Sequence, residues 1–404
     1  MNARFIPVIL LLIVVLGAAA ALVNTTYAEE TKPTVVVIAL GLFGEDPLLN
    51  AMIGNITEVD WKVITEDFTY DDLKGADMVI FVQVDTGYNL TDEMVNAIKQ
   101  WFNEGGKTLW VTSDSDYSGG DYLRIPPANK ILEAIGSNLR ADHVEVVDPV
   151  HNVGGKDYRP AGYVEPDPEL AVLAGGVYNP ILMHGPGALA VYYNGEWYPL
   201  YKDNELPVDN IYRIVVTSPN ASIHEFVEPK PYAYDILNPP VRSFCLMAAE
   251  INFDNGNIVI LSAEAPFDHY QGMFTAVYHE VPLSGPTFVK NVVLWGVGLL
   301  GERLPSIAVE MAQLKSQIKS LEEQVSNLQN RVSSLEDELT QTQNQLNQVT
   351  NEKNQCMSDL ENANSQISDL QGQVSNLSTM QWVYLGVGLI IGIIIGFLIG
   401  KKMK

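Results

Sequence analysis

The stretch 76-ADMVIFVQVDTGYNLTDEMVNAIKQWFNEGGKTLWVTSD-114 decides the fold of this chain. It opens with an apolar run of the kind found in strands buried on both faces. A threonine cap with acidic residues in the first turn, Thr91-Asp92-Glu93, begins an amphipathic helix that Gly105 and Gly106 end. A second apolar run, KTLWVTS, returns to the strand pattern. Strand, helix and strand in this order predict a parallel sheet with helices on its faces.

The same alternation continues on both sides of this stretch. TVVVIAL (34–40) and WKVIT (61–65) predict strands around a helical DPLLNAMIGN, and TFVKNVVLWGVGLLG (287–301) predicts a last helix. ALAVYYNGEWYPLY holds Asn194-Gly195 between two alternating runs, which is a hairpin signal. We therefore predict an α/β domain over residues 33–303, with a doubly wound, mostly parallel sheet and a β-rich insertion.

Three segments of this region carry a family resemblance. The opening stretch, GNIVILSAEAPFD (256–268) and TFVKNVVLWGVG (287–298) resemble class I glutamine-amidotransferase-like domains, and are closest to their non-catalytic surface and membrane-associated branch. The resemblance covers most of residues 33–300 and implies a flavodoxin-like sheet. Enzymes of that superfamily place a cysteine in a Gly-x-Cys-x-Gly turn and pair it with a His-x-Glu motif.

This chain departs from the enzymes at the cysteine motif. Ser113 and Ser115 follow the strand KTLWV without a glycine-flanked turn, and Cys245 lies in a predicted buried strand without flanking glycines. His143-Val144-Glu145 has the spacing of a His-x-Glu motif, but no Gly-x-Cys-x-Gly turn accompanies it in the sequence. We therefore predict that the domain is not an enzyme and has no catalytic residue. A surface hydrolase that uses Ser113 or Ser115 as its nucleophile is a further hypothesis, but the sequence around these serines matches no catalytic motif.

The polar loop TSDSDYSGGDY, which follows the strand, is a candidate metal site. Asp114, Asp116 and Gly119 fit the first half of a calcium loop, but its twelfth position is Ile125, where an EF-hand needs a bidentate glutamate. We keep Asp114, Asp116 and Asp121 as candidate Ca²⁺ ligands, with a solvated turn as the alternative. No other cofactor is predicted.

Ligands of open α/β sheets bind outside the carboxyl ends of the strands. Three polar loops follow strand-like runs in this domain, at residues 114–121, 184–187 and 264–269. We expect them to meet at one edge of the sheet and to form a cleft there. His184 is interpreted as a structural residue of its turn.

A long coiled coil is predicted over residues 307–380. From Met311 to Leu377 apolar residues recur in steps of three and four, with no proline and one glycine. β-Branched residues at several a positions and leucine at most d positions favour a parallel homodimer, and a trimer or tetramer stays open. Cys356 at a d position would face its copy, either in an interchain disulfide or as a packed thiol.

A transmembrane helix is predicted at residues 382–400. Its first eighteen residues are uncharged and would rise about 27 Å, enough to cross the hydrocarbon core. The lysine tail, residues 401–404, places the C-terminus in the cytoplasm. Glycines at every fourth position give a smooth face where two helices can approach closely. These glycines are Gly388, Gly392, Gly396 and Gly400.

Residues 1–28 are predicted to be a secretory signal peptide, with an uncleaved signal anchor as the alternative.

Residues 29–303 hold 39 acidic and 16 basic side chains, a net charge of 16 − 39 = −23, which argues against nucleic acid as a partner. Predicted glycosylation sites of the N-x-[ST] type, besides Asn24, are Asn55, Asn89, Asn220 and Asn376.

These features together predict a single-pass plasma-membrane protein with its N-terminal domain on the cell surface. The layout resembles archaeal surface-layer stalk proteins, which combine an outer domain, a coiled coil and a C-terminal span. We expect a structural or interaction role in a prokaryotic, archaeal-type envelope, with other copies of this chain and other envelope proteins as partners. The alternative is an extracellular receptor or transporter accessory that binds a ligand in the strand-end cleft.

Overall fold

The computed structural model describes residues 32–268, 270–304 and 306–402. The predicted signal peptide, Asn24 and His269 lie outside the described residues. The strands are β1 (Thr34–Leu40), β2 (Asp60–Ile64), β3 (Met78–Gln83), β4 (Thr108–Thr112), β5 (Leu139–Val147), β6 (Ala161–Val164), β7 (Ile181–Leu182), β8 (Gly187–Tyr193), β9 (Glu196–Pro199), β10 (Ile211–Val216), β11 (Ser222–His224), β12 (Cys245–Asn252), β13 (Asn257–Ser262), β14 (Val277–Tyr278) and β15 (Val281–Pro282). The α-helices are α1 (Pro47–Asn55), α2 (Tyr70–Leu73), α3 (Asp92–Phe102), α4 (Ile125–Ala134), α5 (Gly285–Gly296) and α6 (Ser306–Lys402).

The main sheet has the strand order β2-β1-β3-β4-β13-β12-β10-β6-β7 in the described part of the chain. Neighbours from β2 to β13 are parallel, and neighbours from β13 to β7 are antiparallel. The prediction of a mostly parallel sheet is therefore wrong for its second half. The reason is local, because a short turn joins β12 to β13 and a short turn can join only antiparallel neighbours.

The central strands β1 and β3 are buried along nearly their whole length. Helices cover both faces of a parallel sheet, so strands of this kind consist almost entirely of apolar residues. Trp101 of α3 is fully buried and donates its indole N–H to the Ala76 carbonyl at 2.9 Å. Gly296 lets α5 approach β3 closely, since a Cβ there would lie 2.9 Å from the sulfur of Met78.

The helix of the opening stretch forms as the sequence predicts. The Thr91 side chain accepts a hydrogen bond from the backbone N–H of Met94 at 3.3 Å and so caps α3. Gly105 and Gly106 follow the helix with positive φ angles of 82° and 66°, which non-glycine residues rarely adopt. The strand, helix and strand predicted from residues 76–114 are therefore all present.

A smaller antiparallel sheet has the order β11-β5-β8-β9. Strands β8 and β9 form the predicted hairpin, and its turn residues Asn194 and Gly195 have φ angles of 53° and 88°. Strand β5 pairs with β8 through an irregular register between Asp142 and Glu145, so a bulge changes which side chains face inward. This bulge lies next to the site described below.

The C-terminal region is one continuous helix, α6, which covers both the predicted coiled coil and the predicted span. By length and composition, one helix among the described residues could cross a membrane, and its apolar window lies in α6. Side chains of the predicted seam, such as Leu321, Leu328 and Leu335, are exposed in the single chain. Cys356 is exposed as well. The chain is thus a mixed α/β domain followed by a long helix that is apolar enough to be a span.

Candidate functional site

A cavity of about 370 Å³ opens at the carboxyl ends of β4 and β13. The three polar loops that the sequence placed at strand ends all contribute to it, so they do meet at one edge of the sheet. Its lining residues are Asp114, Tyr117, Asp121, Glu145, Tyr158, His184, Gly185, Phe226, Asp268 and Tyr270. We call this space the strand-end cavity.

Arg124 joins two of the candidate calcium ligands. Its guanidinium donates to Asp114 at 2.8 Å and to Asp121 at 2.7 Å, and its Nε donates to the backbone carbonyl of Gln83 at 3.0 Å. Burial raises the pKa of Asp114, against the lowering effect of the guanidinium. The arginine therefore holds both carboxylates at the cavity wall.

Asp116 points to different neighbours. Its Oδ2 accepts from the backbone N–H groups of Phe226 and Val227 at 2.7 and 3.3 Å, and its Oδ1 has no hydrogen-bond partner in the described ranges. Burial raises its pKa, while these backbone donors lower it. Nowhere among the described residues do three or more His, Cys, Asp or Glu side chains gather closely enough to hold a metal ion. The Ca²⁺ site stays a prediction, and these contacts give it no support.

Glu145 enters the cavity from β5, at the bulge opposite Gly187. The side chain is only 5% exposed. Burial raises the pKa of this carboxyl to about 8, and the nearby carboxylates of Asp116, Asp157 and Asp121 add to the effect. Glu145 therefore holds a proton near neutral pH unless a cation lies beside it.

Glu264 ties two of the loops together. One carboxylate oxygen accepts from the backbone N–H of His184 at 2.7 Å, and the other accepts from that of Ala265 at 2.9 Å. Burial raises the pKa of Glu264 well above its usual value, and the carboxylates of Asp268 and Asp114 raise it further. The bond to His184 fixes the β7 loop against the end of β13.

A glycine permits the close approach of two other elements. A Cβ on Gly187, the first residue of β8, would lie 2.4 Å from the backbone oxygen of Asp114. No side chain fits in that gap without moving the Asp114 loop. The position of Asp114 at the cavity wall thus depends on a glycine in a neighbouring strand.

Aromatic rings form the rest of the wall. Tyr117 and Phe226 meet edge to face, with their ring centroids 5.3 Å apart. His184 stacks on Tyr270 at 6.1 Å and meets the edge of Tyr158 at 5.8 Å. Burial lowers the pKa of His184, so its ring is neutral near pH 7. The predicted turn residue is therefore also part of the cavity wall.

The candidate nucleophiles lack the partners that activation needs. Ser113 Oγ is buried and has no hydrogen-bond partner within the described residues, so no base is placed to take its proton. Cys245 lies fully buried in β12, as predicted, and burial raises the pKa of its thiol to about 12. Neither residue shows the geometry of covalent catalysis.

The remaining predicted positions do not meet at this cavity. Asn55, Asn89, Asn220 and Asn376 are exposed, as a glycan acceptor requires. Cys356 and the four glycines of the predicted span lie on α6. Their roles in glycosylation, disulfide formation and helix packing stay predictions.

Sequence reasoning missed Glu145 and the aromatic wall. An acid inside the apolar run of β5, in HVEVV, was the available signal for Glu145. The aromatic residues come from loops far apart in the sequence, after β4, before β6, after β11 and after β13. No local pattern brings such residues together.

Comparison with known proteins gives no family. No protein-family model and no curated protein matches the chain. A solved structure of the mmIFT52 N-terminal domain is 12% identical, with a TM-score of 0.43 over 65% of this chain and 96% of that one. A Thermoplasma acidophilum protein assigned to GMP synthase is 10% identical, with a TM-score of 0.30 over 71% of this chain and 100% of that one. At TM-scores below 0.5, neither likeness carries an argument about fold or function.

Proposed function

We propose that this chain is a membrane-anchored binding protein whose α/β domain captures a small ligand in the strand-end cavity. The observation that carries the proposal is the convergence of loops from β4, β7 and β13 on one cavity of about 370 Å³. That volume lies in the range of small-molecule sites, which are concave and combine apolar walls with a few polar groups. The structural envelope role, our first expectation from the sequence, rests on the layout of the chain and not on this cavity.

The strand order of the parallel part of the main sheet supports a ligand site at this place. Counted across the main sheet from its β2 edge, the first five strands have the order β2-β1-β3-β4-β13, and all of them are parallel. This is the order of flavodoxin-like sheets, with β13 as the fifth strand. In such sheets ligands bind at the carboxyl ends of the strands, and the cavity opens at that edge.

The membrane anchor belongs to the same proposal. The apolar end of α6 is long enough to span, and Lys401 and Lys402 follow it. Basic residues favour the cytoplasmic side, so we place the domain outside a plasma membrane. Secretion through the signal at residues 1–28 would bring it there.

A parallel homodimer is the favoured assembly, and one observation supports it. The heptad positions of α6 present a row of exposed apolar side chains, including Ile318, Val325 and Leu328, which Thr342 and Lys353 interrupt. A second copy of the same helix would bury that row in the manner of a coiled coil. An envelope scaffold is the second candidate function on this ground, with other envelope proteins as further partners.

Thermal-shift screening of the full-length protein in detergent tests ligand capture. Intrinsic fluorescence reports on the domain, since Trp382 is the one tryptophan of six outside it. A panel of amino acids, amines, sugars, short peptides and phosphate esters covers the common classes. A ligand at a hundred times its Kd stabilises the folded state by about 2.7 kcal/mol, which raises the Tm by roughly 5–10 °C.

Two matched variants locate the binding. Asp268→Lys places a long cation at the cavity wall, and Asp254→Lys makes the same change in the exposed turn at the other end of β13. We expect the stabilising ligand to lose its effect with Asp268→Lys and to keep it with Asp254→Lys. A panel without any response, or a response that Asp268→Lys leaves intact, would contradict the proposed function.

A further inference from the structure

The charges at the strand-end cavity are almost all of one sign. Four of its lining residues are carboxylic acids, Asp114, Asp121, Glu145 and Asp268, and no described lining residue is a lysine or arginine. Arg124 reaches two of these acids, but its donors already bond to Asp114, Asp121 and the backbone carbonyls of β3 and its loop. Glu145 holds its proton near neutral pH and Arg124 balances only one of the other three acids, so the wall keeps more negative charge than the protein itself neutralises.

Glu145 is the acid that most clearly lacks a partner. It is more than nine-tenths buried, it faces the cavity, and its carboxylate makes no hydrogen bond or ion pair with any residue that the structure describes. Leaving a buried carboxylate without a partner is costly, and a bound cation would remove that cost. This side chain points to a ligand independently of the number of acids around it.

The aromatic residues of the cavity wall favour an organic cation over a metal ion as the ligand. Tyr117, Tyr158, Phe226 and Tyr270 line the same space, and aromatic faces attract ammonium groups and pack against alkyl chains. A metal ion would instead need several oxygen ligands within coordinating distance, and the described residues hold no such group. The volume also suits a molecule of several carbons more than a single ion.

We propose that the strand-end cavity binds an organic cation, a primary ammonium group on an alkyl chain, with Glu145 and Asp268 as its acceptors and the aromatic rings around its chain. This inference rests on the proposed function and names the ligand class of the same site. The charge of −23 over residues 29–303 would draw such a cation toward the domain.

Three probes of equal length test the charge preference. They are 1,5-diaminopentane, 1,5-pentanediol and glutarate, which carry two positive charges, no charge and two negative charges at neutral pH. Titration calorimetry on the full-length protein in a neutral detergent, at 150 mM salt, measures each Kd. We expect the diamine to bind at least tenfold more tightly than the diol and glutarate not to bind. Near pH 7 its binding should also release a proton from Glu145, which measurements in two buffers of different ionisation enthalpy detect.

Variants separate the cavity from the acidic surface. Glu145→Gln keeps the shape of the side chain and removes its charge, and Tyr270→Ala removes an exposed ring without opening the core. Each should weaken diamine binding at least fivefold, while Glu205→Gln, an exposed acid outside the cavity, should leave it unchanged.

Each outcome bears on one of the two proposals. Diamine binding that Glu145→Gln and Tyr270→Ala leave unchanged would be adsorption to the acidic surface and would overturn the inference. Equal or tighter binding of the diol or glutarate, with an affinity that Asp268→Lys changes and Asp254→Lys does not, would overturn the inference and leave the proposed function intact. No binding by any of the three probes would also reject the ammonium ligand, whereas the proposed function falls only if the wider thermal-shift panel gives no cavity-dependent response.

Discussion

Glu145 makes the stability of the domain depend on pH in an unusual direction. Its pKa rises from an ordinary 4.5 to about 8 in the folded protein. Between these values the folded state binds more protons than the unfolded state, so the free energy of unfolding falls as pH rises. Most acids in ion pairs have a lowered pKa, so their contribution to the free energy of unfolding increases as pH rises. The opposite pH dependence of Glu145 can therefore be distinguished from theirs.

Glu145→Gln should therefore stabilise the domain in alkaline solution and have little effect in acid. We expect a gain on the order of 1–3 kcal/mol at pH 8.5 and much less near pH 4.5, because the wild-type carboxyl is then protonated in the folded state and about half protonated in the unfolded state. Denaturant unfolding followed by tryptophan fluorescence at both pH values measures this. Glu205→Gln should show no such dependence, and an equal effect of Glu145→Gln at both pH values would contradict the raised pKa.

Arg124 is expected to be the most sensitive residue of the cavity wall. Its replacement by methionine keeps most of the volume but leaves the buried carboxylate of Asp114 unpaired, at a cost of roughly 3–5 kcal/mol. Thermal or denaturant unfolding of the full chain measures the loss. Adding Asp114→Asn to Arg124→Met should recover part of it, since the second change removes the unpaired charge. If the double variant is as unstable as the sum of the two single variants, the pair is not coupled.

Elements whose signals are local could be predicted, and elements that depend on distant partners could not. Helix α3 has its cap, its amphipathic face and its terminal glycines within residues 91–106, and the β8–β9 hairpin has its turn in Asn194-Gly195. In the antiparallel half of the main sheet, the short turn between β12 and β13 is such a signal, but the pairing of the remaining strands has none. Strand β10 pairs with both β6 and β12, which lie far from it in the sequence, and only the folded chain fixes that register.

The same distinction applies to the candidate site, whose loops could be predicted from the sequence while the residues inside its cavity could not. The loops could be placed at one sheet edge from the sequence, because the strands they follow were recognisable and parallel strands end at a common edge. The contents of the cavity could not, since Glu145 turns inward only through the bulge in β5, and Phe226 arrives from the loop after β11. A strand pattern alone cannot show which side of a bulged strand faces a ligand.

At the scale of the whole molecule, assembly is the central open property, and one measurement addresses it. We expect the detergent-solubilised protein to have twice the mass of its single mature chain, by light scattering corrected for bound detergent. Without reductant, denatured wild-type protein should run as a covalent dimer through Cys356, and Cys356→Ser should run as a monomer. Cys245 is the internal control, because its burial in β12 keeps it from pairing between chains.

The two parts of this result can fail separately. A folded monomer in detergent would contradict the coiled coil. A non-covalent dimer without a reducible crosslink would keep the coiled coil and assign Cys356 as a packed thiol.

The unbroken course of α6 has a mechanical consequence. Between Ser306 and Lys402 the helix contains no proline, the commonest cause of a sharp kink, and it runs unbroken from the heptad section (307–380) into the apolar section (382–400). A rod held by continuous backbone hydrogen bonds resists twisting as well as bending. Rotation of the heptad section about its own axis would therefore turn the apolar section and the lysines beyond it through the same angle. In the proposed dimer, with the apolar section as its membrane span, a change in how the two copies wind around each other would in this way become a rotation inside the membrane.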